Sequence, residues 1–259
     1  MPIRVTRSVI PSLFTSMNLF CGFFAIVKAA NADYAAAAWL IVLGGIFDAL
    51  DGAMARLTNS SSEFGVELDS LADVVSFGAA PSFILYQAFF HQWSTVGVVL
   101  ASLPALCGAL RLARFNVQLV GFDKDYFRGL PIPSAALVLI SYLVFFHLPT
   151  GAASYIPEPA KPAILVAITI AVSLLMVSTI RYDTIPKLNM SGIRKNPSKA
   201  IGLLVGIILI AVTRGGAIFP LMALYLLFGV GRQLVVISRR SGDDDDEDME
   251  EEEETPFDV

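Results

Sequence analysis

Four aspartates, Asp48, Asp51, Asp69 and Asp73, fall within 26 residues of a chain that is otherwise very apolar. Asp48 and Asp51 are three residues apart, and Asp69 and Asp73 are four apart. On a helix, either spacing puts both carboxylates of a pair on one face. The polar, turn-prone stretch LTNSSSEFGVE between the pairs lets two helices run antiparallel, so that the pairs converge. Four ionised carboxylates in a low dielectric repel one another, and they are tolerable when divalent cations sit between them. Ligands that are all carboxylate oxygen suit hard ions such as Mg²⁺, Mn²⁺ or Ca²⁺ and speak against zinc. A two-metal carboxylate site is the usual arrangement for displacement at phosphorus. The neighbouring residues fit that chemistry. Gly52 and Ala55 leave room for a phosphate to approach the helix backbone, and Gly65 lets the connecting loop fold tightly. Arg56 is placed to pair with a phosphate as a bidentate donor; taken alone, it also fits a helix-end arginine that snorkels to an interface.

The elements that must carry these residues are membrane helices. The chain has 259 residues, 55% hydrophobic and 16% charged, with a mean hydropathy of +0.67, which excludes an ordinary soluble domain. A bilayer core takes about 20 apolar residues per helix. Eight runs qualify, at 10–31, 34–56, 71–90, 94–116, 130–147, 160–180, 198–213 and 217–238, the fifth and seventh being short. They are long and do not alternate, so helix is preferred over strand. The sequence therefore predicts an all-α polytopic bundle with both termini on the cytoplasmic side. With the N-terminus inside, 15 Lys and Arg fall in inner segments and only Lys28, Lys161 and Arg214 fall outside. The aspartate loop then faces the cytoplasm.

The net charge of −5 conceals this pattern. Residues 241–259 hold twelve acids and no base, while the remainder has 18 bases against 11 acids. Residues 1–240 are read as the membrane domain and 241–259 as a disordered acidic tail. No cleavable signal peptide is expected. Cys21 and Cys107 lie in apolar stretches and read as packing residues. His91 and His147 lie far from the aspartates, near helix ends, and read as interfacial polar groups.

The pattern Asp48-x2-Asp51-Gly52-x2-Ala55-Arg56-x8-Gly65-x3-Asp69-x3-Asp73 resembles the complete signature of the CDP-alcohol phosphotransferase family. That resemblance implies a homodimeric integral membrane enzyme that moves a phosphoryl-linked group from a CDP-alcohol to an acceptor hydroxyl with Mg²⁺ or Mn²⁺ and releases CMP. It implies Asp48, Asp51 and Asp69 as metal ligands and Asp73 as general base that also touches a metal. It places Gly52, Ala55, Arg56 and Gly65 around the CDP-lipid.

Two further stretches, IPSLFTSMNLFCGFFAI (10–26) and residues 110–136 with LRLARFNV and FRGLPIPSAA, are similar to the branch of that family whose acceptor is L-serine and whose donor is CDP-diacylglycerol or an ether-lipid analogue. Arg111, Arg114 and Asn116 then become candidates for holding the serine carboxylate or a phosphate, with Asn18 as a further polar contact. Positive-inside topology accounts for both arginines as well. The competing acceptors are glycerol 3-phosphate, inositol and inositol phosphate. A divalent-cation transporter would spread its acids over several helices at mid-depth, unlike these. A covalent-histidine phosphatidyltransferase needs His–Lys–Asp motifs, which the sequences after His91 and His147 do not supply. Nothing suggests nucleic-acid binding.

Overall fold

The structure is a computed structural model that describes residues 9–58, 62–118, 126–148, 156–183 and 197–233. Helix α1 (Val9–Ala30) is one apolar run with Pro11 in its first turn, where a missing N–H breaks no helical bond. The turn after it passes through Ala32, which takes a positive φ of 59°. Asp33 then caps α2 (Tyr34–Thr58) by accepting the Ala36 N–H at 3.2 Å, and it pairs with Lys28 at 3.2 Å. The Ala36 amide and the Lys28 ammonium hold the Asp33 carboxyl below its ordinary value.

Helix α3 (Glu63–Ala88) starts eight residues earlier than the sequence pattern placed it. Ser62 is its N-cap and accepts the Gly65 N–H at 3.0 Å. Gly65 therefore lies in the first helical turn and not in a tight loop, which corrects the reading of that residue. Hydropathy missed this turn because a capped polar first turn carries no apolar signal. The helix widens to a π segment at Val74–Ala79, directly after Asp73, with the Ala80 N–H reaching the Val75 carbonyl five residues back. Pro81 follows and cannot donate to the Phe77 carbonyl, so regular α bonding has to give way there.

A 3₁₀ turn at Phe90–Trp93 leads into α4 (Ser94–Gln118), which contains Pro104. The remaining described helices are α5 (Ile132–His147), α6 (Lys161–Val177), α7 (Pro197–Val212) and α8 (Ile218–Gln233). All eight expected helices are present among the described residues, and five are long and apolar enough to cross a membrane. The acidic tail lies outside the described residues.

α3 and α5 are the central helices. Ile132, Ala135, Ala136, Leu139, Ile140 and Leu143 of α5 are buried, as are Phe77, Ala80, Ile84 and Leu85 of α3. Phe20, Phe23, Ile46, Leu106 and Leu110, on α1, α2 and α4, turn outward and are more than half exposed. In water such faces would be a liability; against hydrocarbon they are the expected surface.

One short sheet departs from the all-helix expectation. Tyr126–Arg128 (β1) pairs antiparallel with Arg181–Asp183 (β2), joining the segments that follow α4 and α6. Gly129 makes the turn out of β1 with φ 77°, and its N–H donates to the Ile180 carbonyl at 2.8 Å. A Cβ there would lie 2.2 Å from the Met176 carbonyl oxygen, so only glycine fits. The strap shortens α6 relative to the expected 160–180, since residues 178–180 leave the helix to reach β2.

Candidate active site

The four aspartates reach one end of the bundle, as their spacing predicts, but they do not form one equal cluster. Asp48, Asp69 and Asp73 each present a carboxylate oxygen within 4.8 Å of the others. Asp51 stands outside that triangle: the Thr15 hydroxyl, from α1, donates to its Oδ2. Asp51 and Asp73 are buried, and Asp48 and Asp69 are partly open.

The three converging carboxylates fit a hard divalent cation. Oxygens around a cation with bonds of about 2.0–2.6 Å lie at most about 4–5 Å apart, and the triangle meets that limit. Three buried or half-buried carboxylates this close need positive charge between or beside them. Part of it comes from Arg111 of α4, which is 7% exposed and acts electrostatically on Asp73.

α1 forms the wall opposite. Asn18 is fully buried, and its Nδ2 donates to Asp73 Oδ1 at 3.2 Å. Ser76 Oγ, inside the π segment, donates to the Asn18 backbone carbonyl at 2.8 Å. The close approach depends on Gly22, where a Cβ would sit 2.4 Å from Ser76 Oγ and 2.6 Å from its Cα. Thr15, Asn18 and Gly22 recur at helical spacing, so one face of α1 meets the aspartate helices. Sequence reasoning singled out Asn18 but passed over Thr15 and Ser76. Their signal was available: small polar residues on one face of an apolar helix, with a partner face across the bundle.

The candidates on α4 separate. Arg111 is buried and interacts electrostatically with Asp73. Arg114 is exposed and donates from Nη1 to the Val177 carbonyl at 3.0 Å, tying α4 to the C-terminal end of α6. Asn116 Nδ2 donates to Ser70 Oγ at 3.0 Å, next in sequence to Asp69. Gly52 and Ala55 lie on α2 in the turn beyond Asp51, partly exposed. The Arg56 side chain lies outside the described residues. His91 is exposed, and His147 packs edge-on against Phe89 with centroids 4.8 Å apart. Cys21 and Cys107 are free thiols.

Comparison with known proteins gives the same direction. The family model described as CDP-alcohol phosphatidyltransferase matches residues 8–178. The chain is 34% identical over 232 residues to a CDP-diacylglycerol–serine O-phosphatidyltransferase of Helicobacter pylori, covering 88% of this chain and 92% of the relative. It is 38% identical over 185 residues to an archaetidylserine synthase of Methanothermobacter thermautotrophicus, covering 70% of this chain and 72% of the relative. A CDP-diacylglycerol–serine O-phosphatidyltransferase of Saccharomyces cerevisiae is 43% identical over 158 residues, covering 53% of this chain and 56% of the relative.

Proposed function

The chain belongs to the CDP-alcohol phosphatidyltransferase family, and from that premise we infer that it transfers a phosphatidyl group from CDP-diacylglycerol to the hydroxyl of L-serine, giving phosphatidylserine and CMP. The observation that carries the acceptor is the pattern among the relatives. Bacterial, archaeal and yeast proteins that differ in the lipid they are named for share serine in their names. Glycerol 3-phosphate, inositol and inositol phosphate are less supported as acceptors.

The reaction we assign is one in-line displacement at the phosphorus nearer the diacylglycerol. Asp73 takes the proton of the serine hydroxyl as that oxygen attacks, and the bond from phosphorus to the CMP oxygen breaks. Asp48, Asp51, Asp69 and Asp73 are the residues that would hold Mg²⁺ or Mn²⁺, which when bound supplies charge neutralisation for the diphosphate. Arg56 adds a guanidinium on the CDP side, with Gly52, Ala55 and Gly65 lining that part of the cleft. Arg111 is the better candidate for the serine carboxylate, because it is buried within electrostatic reach of Asp73 while Arg114 already caps α6. Asn116 holds the base of α3 through Ser70 and supports the cleft from α4.

The excess of basic residues in the inner segments supports an active site at the cytoplasmic face of the inner membrane. Lipid tails can then stay in the bilayer while the diphosphate meets soluble serine. Family resemblance supports a homodimer.

An acceptor panel tests the function. Purified protein is given CDP-diacylglycerol with Mn²⁺ or Mg²⁺ and, separately, labelled serine, inositol, inositol phosphate and glycerol 3-phosphate. Phosphatidylserine and CMP are expected with serine alone. CMP release with a different acceptor, and none with serine, would reassign the substrate within the family. A parallel set with a CDP-linked ether lipid measures the donor preference.

A further inference from the structure

Asn18 is the one fully buried carboxamide at the aspartate end among the described residues, and it is bound to α3 twice. Its backbone carbonyl accepts the Ser76 hydroxyl at 2.8 Å, and its side-chain Nδ2 donates to Asp73 Oδ1 at 3.2 Å. Ser76 and Asp73 are three residues apart on α3, so both bonds lie on one face. The carboxamide therefore cannot turn without breaking a contact to the helix that carries Asp73.

The other end of the carboxamide is fixed by shape. Asn18 Oδ1 has no hydrogen-bond donor among the described residues. It faces Gly44 of α2, where a Cβ would lie 3.0 Å from it. A buried carbonyl left without a donor costs about 1–3 kcal/mol. An apolar residue of similar size would avoid that cost, so packing alone does not explain the asparagine. What the carboxamide contributes is a donor aimed at one oxygen of Asp73.

We propose that Asn18 is a positioning residue for Asp73: its carboxamide, seated against Gly44, holds Asp73 Oδ1 and so leaves Oδ2 turned to receive the acceptor proton. This rests on the reading of Asp73 as the general base. Thr15, one turn earlier on α1, holds Asp51 in the same manner, so the first helix orients one carboxylate of each pair.

Asn18→Leu keeps the volume and removes the donor. The expected result is a fall in kcat of roughly 10–100-fold, the scale of losing the partner that orients a site group. The KM for serine and for CDP-diacylglycerol, the thermal midpoint and the Mn²⁺ affinity read by electron paramagnetic resonance should stay near wild type. Wild-type kcat overturns the proposal. So does a parallel loss of Mn²⁺ affinity with kcat restored at saturating metal, because Asn18 would then serve Asp73 as a metal ligand and not as the base.

Gly44→Ala supplies a second test should Asn18→Leu fold poorly. It should lower kcat when Asn18 is present and add nothing to Asn18→Ala, in which the crowded group is gone. Equal effects in both backgrounds would overturn the relay. Asp73→Asn separates the two levels of the argument. Near-normal turnover in that variant defeats the base assignment itself, whereas a slow Asp73→Asn beside a fast Asn18→Leu defeats the positioning role alone.

Discussion

The two ends of the bundle both carry buried polar groups, and they satisfy them in different ways. At the aspartate end the partners are far apart in sequence. Thr15 meets Asp51 across 36 residues, Asn18 meets Asp73 across 55, Asn116 meets Ser70 across 46, and Arg114 meets Val177 across 63. At the opposite end the ion pairs are local: Lys28 with Asp33, five residues apart, and Lys161 with Glu158, three apart. Close to Lys161, whose carbonyl accepts the Tyr142 hydroxyl, Phe89, Phe90, Trp93, Tyr142, Phe146 and Phe219 make ring contacts that His147 joins into one cluster. A local pair can form wherever its turn forms. A pair across 55 residues exists only when α1, α2 and α3 are all docked. The aspartate end therefore concentrates groups that repel when brought together, and the fold must hold them there. The opposite end only finishes helices.

Six substitutions probe that contrast. The largest effect is expected from removing a carboxylate of the triangle. Asp48→Ala or Asp69→Ala should abolish phosphatidylserine formation and weaken Mn²⁺ binding, since each supplies one of three converging oxygens. Retained turnover in either variant would remove that residue from the site.

Next in size is Asp73→Asn, which keeps the shape and removes the basicity. CDP-lipid and metal binding should persist while kcat falls by about 10² or more. Binding and turnover are to be measured on the same preparation. If both disappear together, Asp73 serves mainly as a ligand.

The two arginines of α4 should then part company. Arg111→Lys keeps the charge but loses the planar fork, so the serine KM should rise more than the CDP-lipid KM. Arg114→Lys should leave the serine KM unchanged, because the Arg114 partner is a backbone carbonyl at the end of α6. Identical kinetic profiles for the two variants would end the distinction.

The smallest effect belongs to the opposite end. The folded-state value of Asp33 is lowered by the Ala36 amide and Lys28. A depressed carboxylate contributes stability above its unfolded value, and that contribution is lost as pH falls through the folded value. Asn also caps helices but does not titrate. Asp33→Asn should therefore leave activity intact, and any stability gap to wild type measured near neutral pH should close below about pH 3.8, the ordinary value. A loss of turnover would show that the two ends communicate.

Much of this was legible in the linear sequence because membrane helices write themselves as long apolar runs. The ends of α1, α2 and α4 came within a few residues of expectation for that reason. The start of α3 did not, since Ser62 and Glu63 open it with a polar capped turn that resembles a loop. The strap of β1 and β2 was not legible either, as three-residue strands have no pattern of their own.

The sequence by itself determined the chemistry. Carboxylates at spacings of three and four, beside Gly52, Ala55 and Arg56, are residue types that suit hard cations and phosphate. Only the tertiary structure decided how the four aspartates divide. Asp48, Asp69 and Asp73 converge, while Asp51 turns to Thr15. It likewise decided that Arg111 is buried, within electrostatic reach of Asp73, and that Arg114 caps another helix. The reason is physical. Helical periodicity tells which face a residue occupies, but the helix that covers that face, and the donor it brings, depend on docking across dozens of residues.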